Sequence, residues 1–212
     1  MREREFCGMI REYDWEPLSK VHAEAHSATI GYWVDWWIKQ YPKEGRVIEP
    51  ARKVKIEKIG RLADIEFVGF DGKKWRSVGV GEIENNHSKL CDKLKTLHLY
   101  EKCGKFRNLK FALLCTYAVI DEKGNVSVKK AIRRKVLKNI KRAVKYAREL
   151  SRKSGLYWVI YILKIVSEET QIDEDEPYPG TCGGGEWLIF RKGRIVEHET
   201  KGKGRKIPVD LY

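Results

Sequence analysis

Three acids stand where strand-forming sequence ordinarily carries apolar residues: Asp64, Glu82 and Glu84, within RLADIEFVGFDGKKWRSVGVGEIENN from Arg61 to Asn86. In Val78, Val80, Glu82 and Glu84 a period of two puts all four residues on one face of a strand, so an apolar row runs directly into two acids. Carboxylates placed there are costly unless a cation meets them. Mg²⁺ takes carboxylate oxygens and keeps several waters, so two or three converging acids beside a basic surface suffice to hold it. A cation so held neutralises a phosphate and lowers the pKa of an attacking water, which is the chemistry of phosphodiester hydrolysis. The bland alternative is that the acids are cross-strand ion-pair partners of Lys53, Lys55 and Arg61.

The elements that must position these acids follow from hydrophobic period. SKVHAEAHSATIGYWVDWWIKQY, from Ser19 to Tyr41, reads as a helix ended by Pro42 and the Glu44-Gly45 turn. Its broad apolar face is Ile30, Trp33, Val34, Trp37, Ile38 and Tyr41, with Tyr32 and Trp36 adding apolar surface elsewhere. Strands are expected over Val47–Ile59, Arg61–Phe70 and Trp75–Glu84, the last two forming a hairpin about the Asp71-Gly72 turn. A helix over 88–103 follows, with Leu90, Leu94, Leu97 and either Tyr100 or Leu99 inward. FALLCTYAVI lacks polar alternation, as a central strand covered on both faces does. LYWVIYILKIV is a further strand, and WLIFRKGRIVEHE reads as a terminal hairpin before a flexible basic tail that begins at KGKGRK. The order predicts one α/β domain, a mixed central sheet flanked by helices. Its core is expected over about 19–166, with an acidic loop over 167–185 and the hairpin and tail over 186–212.

Between the two central strands lies VKKAIRRKVLKNIKRAVKYARELSRKS, striped with Ile132, Val136, Ile140, Ala143, Ala147 and Leu150. From Lys129 to Lys153 it carries twelve Lys or Arg against one acid, Glu149. A solvated helix normally mixes signs for i,i+4 pairing, so this one reads as an electrostatic face for phosphates, with Lys130, Arg133, Arg134, Lys138, Lys141 and Arg142 as nucleic-acid contacts. The whole chain carries +13, which favours a polyanionic partner, DNA first and a membrane surface second. The acid run between Glu168 and Glu176 reads as a solvated loop, and Gly183–Gly185 as no phosphate loop, since no G-K-[ST] follows.

Opposed residues of a hairpin share a face. A strict two-residue Asp71-Gly72 loop would set Asp64 opposite Gly79 and send Asp64 and Glu82 to opposite faces. A shared site therefore requires an odd loop or a bulge, for which Gly79 and Gly81 are suited.

Ala63-Asp64, followed at 18 residues (82 minus 64) by Glu82-Ile83-Glu84 in the order helix, three strands, helix, strand, resembles the PD-(D/E)xK nuclease superfamily over roughly residues 19–120. Length and composition are also similar to nucleases of spindle-shaped archaeal viruses. The resemblance implies a restriction-endonuclease-like fold and a Mg²⁺- or Mn²⁺-dependent DNA endonuclease, with branched or recombination DNA as one substrate class. It makes Asp64 and Glu82 metal ligands and Glu84 a catalytic acid where the family usually has Lys. Lys89 is then the nearest replacement cation by sequence, with Lys55 another, and Glu24 a fourth carboxylate. The missing Lys also keeps open a catalytically inactive nucleic-acid-binding protein of the same fold.

Other features bound the partners and the compartment. No run approaches a membrane span and no signal-peptide pattern is present, so an intracellular, cytoplasmic protein is expected, in the host cytoplasm were the source viral. The five cysteines form no close pair, and buried thiols are the expectation. Few Met and Gln beside many Lys, Arg and Glu is a balance seen in proteins from hot environments. His22 and His26, four apart, have a spacing that two zinc ligands can use, without a third nearby. The tryptophan-rich helix is the ground for expecting a homodimer, because interfaces favour Trp and Tyr.

Overall fold

The computed structural model describes residues 1–12, 25–40, 45–48, 63–70, 72–103, 107–120, 130–166, 181–202 and 206–207. Their order is α1 (Glu3–Arg11), α2 (Ala25–Gln40), β1 (Gly45–Ile48), β2 (Ile65–Phe70), β3 (Trp75–Ile83), a 3-10 turn (His87–Lys89), α3 (Leu90–Lys102), β4 (Phe111–Ile120), α4 (Lys130–Arg152), β5 (Tyr157–Val166), β6 (Thr181–Arg191) and β7 (Arg194–Gly202). The strands make one sheet in the order β1 to β7. β3, β4 and β5 run parallel, with α3 and α4 as their crossovers, and the pairs outside them are antiparallel. The α/β class and the mixed, helix-flanked sheet are as the periodicity predicts. All ten residues of β4 are buried, the consequence of parallel neighbours on both edges and helices over both faces.

Two apolar cores lie on opposite faces of the sheet. One is built by Leu90, Leu94, Leu97 and Tyr100 of α3 and Val136, Ile140, Ala143, Ala147 and Leu150 of α4 against Val80, Leu114, Ile160 and Leu188. Between the two inward candidates of α3, Tyr100 is buried and Leu99 is exposed. The other core packs Phe6 and Ile10 of α1 and Trp33, Trp36 and Trp37 of α2 on Phe67, Phe111, Leu113 and Trp187.

Here the expected face of α2 is corrected. Trp36, placed off the apolar face by periodicity, is fully buried, while Ile38, placed on it, is half exposed. The Trp36 indole N–H donates to the Met9 carbonyl at 2.9 Å and that of Trp37 to the Val68 carbonyl at 3.0 Å, so α1 and β2 together set the rotation of α2. The three tryptophans on which the homodimer expectation rests are consumed in this chain's own core.

Other boundaries move as well. α1, for which no element is expected above, is amphipathic, its buried stripe of Phe6, Cys7 and Ile10 falling at helical spacing. Most of the strand expected over Val47–Ile59 lies outside the described residues. Gly183–Gly185, expected in the acidic loop, lie inside β6. Gly184 has φ +129°, and a Cβ there would stand 2.1 Å from the Lys201 carbonyl oxygen, so β7 can lie this close only against glycine. The tail expected to be flexible from Lys201 instead continues β7 through Gly202, and Ile207 is buried, its N–H on the Glu186 carboxylate at 2.8 Å.

Gly79 is the tightest glycine beside the acids. A Cβ there would meet the Phe111 ring at 2.2 Å, and Phe111 is itself wedged among Phe6, Phe67, Trp36 and Trp37. Gly79→Ala is expected to destabilise the fold by about 3 kcal/mol through overpacking, read as a lower midpoint in denaturant unfolding.

Candidate nuclease site at the base of the β2–β3 hairpin

The hairpin register decides whether the acids meet. Phe70 pairs with Trp75, so the loop is residues 71–74 and not the two-residue turn expected from Asp71-Gly72. That loop is even-numbered and would by itself set Asp64 against Gly81. The register then shifts by one: Phe67 pairs with Gly79 while Val68 pairs with Ser77, leaving Val78 as the extra residue of a bulge. Beyond the bulge Ile65 faces Gly81, and the same register carried one residue further sets Asp64 against Glu82. The bulge needed for a shared site is present, one residue before Gly79.

β2 begins at Ile65, and the Asp64 side chain, just before it, extends the ladder that its backbone does not join. Its Oδ2 accepts the Ile83 N–H at 2.8 Å. Ala63 is held through a backbone hydrogen bond to Tyr100, whose phenol is kept protonated, its pKa raised by burial first and then by the charge of Glu82. Glu82, 1% exposed, points to the α3–α4 face, as Val80 does. Burial, followed by the negative charge of Asp64, pushes its carboxyl up to about 7.

Lys93 of α3 opposes that rise. Its Nζ lies 2.6 Å from Glu82 Oε2 and 4.0 Å from Asp64 Oδ2. Burial pulls its pKa down, but the hydrogen bond to Glu82 and the charges of Glu82, Asp64 and Glu84 outweigh it, so the ammonium is held charged. Lys89, expected as the replacement cation, is exposed on the preceding turn, one helical turn away from this position. The signal for Lys93 lay in the sequence: it is three residues after Leu90 and four before Leu97, on the edge of the apolar stripe of α3.

Glu84 continues the row beyond the strand end. It is buried, and its Oε1 accepts the Asn86 N–H at 2.9 Å. Its N–H donates to the Cys115 carbonyl, which brings Thr116 level with it on β4, and the buried Thr116 hydroxyl has no hydrogen-bond partner among the described residues. His22, Glu24 and Lys55, and the side chain of His26, lie outside what is described. So do Lys53 and Arg61, the alternative ion-pair partners of the acids.

Among the described residues no group of three or more His, Cys, Asp or Glu side chains is already arranged as a metal cage. The donor set still fits Mg²⁺, which needs only one or two carboxylates and its own waters. Two hard anionic donors are held together at a cost visible in the raised pKa of Glu82, and a divalent cation would remove that cost.

α4 packs against α3 and against the 3-10 turn that follows Glu84. Of its predicted contacts, Arg134, Lys138 and Arg142 are exposed and Lys141 is half buried, while the side chains of Lys130 and Arg133 lie outside the described set. A second charged cluster escaped the sequence. Lys164 Nζ and Glu186 Oε2, both fully buried, are 3.0 Å apart, and His198, Thr200 and the Ile207 N–H complete their hydrogen bonds. A lone Lys in LYWVIYILKIV is its only trace. Every member has a partner, so it serves to hold β5, β6, β7 and the segment at Ile207 together.

Compared with protein-family models, curated proteins and solved structures, the chain matches none of them.

Proposed function

We propose that this chain is a Mg²⁺-dependent DNA endonuclease with a restriction-endonuclease-like fold, cutting phosphodiester bonds at Asp64, Glu82 and Glu84. The observation that carries the reading is the one-residue bulge at Val78, which sets Asp64 against Glu82 where an unbulged register would part them. Lys93 supports it, because its ammonium, reaching Glu82 from α3, supplies a cation beside the acids although Glu84 stands where the family usually has Lys.

The roles follow from position. Asp64 and Glu82 would hold Mg²⁺, which when bound polarises a phosphate oxygen and makes a bound water a better nucleophile. Asp64 is fixed by the Ile83 N–H, so its second oxygen keeps a set direction. Lys93 steadies both carboxylates and places positive charge beside the phosphate as negative charge develops on it. Glu84 is the nearest further carboxylate on that strand face to accept the proton the water gives up. The exposed cations of α4 would take the flanking phosphates.

The test is incubation with supercoiled, linear and branched DNA in Mg²⁺ or Mn²⁺, with cleavage expected of at least one. DNA binding with no cleavage of any substrate would turn the reading to its alternative, a catalytically inactive nucleic-acid-binding protein. That alternative draws on the Lys93–Glu82 ion pair, which already neutralises the acid that a metal would need.

Replacing Arg133, Arg134, Lys141 and Arg142 together by Gln is expected to weaken DNA binding and to flatten its salt dependence. Each lost phosphate contact removes about 0.9 from the slope of log K against log salt. An unchanged slope in a fluorescence titration would remove α4 from the interface.

A further inference from the structure

At the edge where β4 and β5 begin and β6 ends, the chain forms a half-open cavity of about 430 Å³ whose lining includes Arg107, Lys110, Tyr157, Arg191 and Glu101. It is separate from the carboxylates. The Lys110 N–H is bonded to the Val78 carbonyl, four residues before Glu82 on the neighbouring strand, and Arg191 follows Phe190, the partner of Trp158 on β5. Strand rise and spacing place the cavity about 14 to 18 Å from Glu82.

Its chemistry is that of an anion site. Among the described side chains that line it, three are cations and one is an acid, Glu101, whose carboxylate is engaged by His98 Nδ1 at 3.0 Å. Arg191 is held from one side only: its guanidinium lies 4.3 Å over the Tyr157 ring and donates to the Tyr157 hydroxyl. Among the described residues its Nε, closed to solvent, has no hydrogen-bond partner, so the forked donors of a group that grips phosphate oxygens are not all used within the chain. Arg107 and Lys110 are exposed at the rim, at no folding cost to themselves. The backbone bonds Lys110 N–H to Val78 and Tyr157 N–H to the Lys110 carbonyl anchor that part of the wall to the sheet.

We propose that this cavity binds a phosphate group, with the Arg191 guanidinium as the inner donor and Arg107 and Lys110 closing on the outer oxygens. Where the phosphate belongs to a DNA strand, it is the strand's terminal phosphate, held toward the opposite end of β3 from Glu82. That last statement rests on the nuclease reading; phosphate binding itself does not.

The test is binding without added metal, so that it is independent of cleavage. Inorganic phosphate is titrated by calorimetry, and a 5′-phosphorylated oligonucleotide is compared with its 5′-hydroxyl twin by fluorescence anisotropy. Phosphate binding is expected, weakened about tenfold or more in Arg107→Gln/Lys110→Gln, a pair of exposed positions that leaves the fold intact. Arg191→Lys, which keeps the charge but loses the fork, should lose a similar factor with an unchanged circular dichroism spectrum. A preference for the phosphorylated strand that vanishes in the variants identifies a nucleic-acid source. Equal affinity for the two strands, with variant-sensitive inorganic phosphate binding, identifies a small free phosphate. No phosphate binding, or binding that ignores all three substitutions, overturns the assignment.

Discussion

Asp64→Asn should lower the rate of Mg²⁺-dependent DNA cleavage by about three orders of magnitude while leaving DNA affinity within about twofold. The substitution is chosen because Asn keeps a side-chain carbonyl to accept the Ile83 N–H, the bond that ends the β2–β3 ladder. Only the charge goes. With it goes one of the two hard anionic donors and part of what raises the Glu82 carboxyl, so Glu82 ionises more readily in the variant. The gel assay on supercoiled and branched DNA therefore separates a lost metal ligand from a lost fold, particularly when paired with a thermal melt. Cleavage by Asp64→Asn at the parent rate would remove Asp64 from the chemistry. Glu82→Gln should lose a comparable factor.

The second large effect is on stability against pH. The folded chain holds a proton on Glu82 up to about pH 7, where the unfolded chain releases it near the ordinary glutamate value of 4.5. Between these values the folded state binds more protons than the unfolded one. Its stability from this group is fully present below the lower value and falls as pH rises to about 7, by roughly 3 kcal/mol at most. Glu82→Gln should flatten that fall and be more stable than the parent at about pH 8. Lys93→Met takes away the hydrogen bond and charge that oppose the rise, so the decline should extend to higher pH. Mg²⁺ competes with the proton, and its binding should strengthen up to about tenfold per pH unit below 7 and release protons into solution. Denaturant unfolding across this range, with and without Mg²⁺, measures all three. A parent whose stability is flat from pH 4.5 to 7 would contradict the burial of an ionisable Glu82.

Glycine and tryptophan illustrate what a linear pattern conveys. GGG at 183–185 looks like a loop by composition, yet it is strand, because the approach of β7 to Gly184 is a contact between segments far apart in sequence. Trp36 looks peripheral on a helical wheel, yet it is buried, because α1, a helix from a distant part of the sequence, covers that side of α2. Lys93 was within reach of the pattern, being a lysine on an apolar stripe, but its partner was not.

What the amino-acid sequence by itself determined is local. It determined the alternation of helix and strand, the doubly covered β4, the basic face of α4 and the presence of acids in strand sequence, because side-chain period and charge are properties of neighbouring residues. Whether those acids share a face was decided only by the tertiary structure. Asp64 meets Glu82 because the chain spends one extra residue at Val78, and Lys93 reaches both because α3 packs on that face. Register depends on how two strands and the helix over them pack together, and a one-residue difference reverses every side chain beyond it.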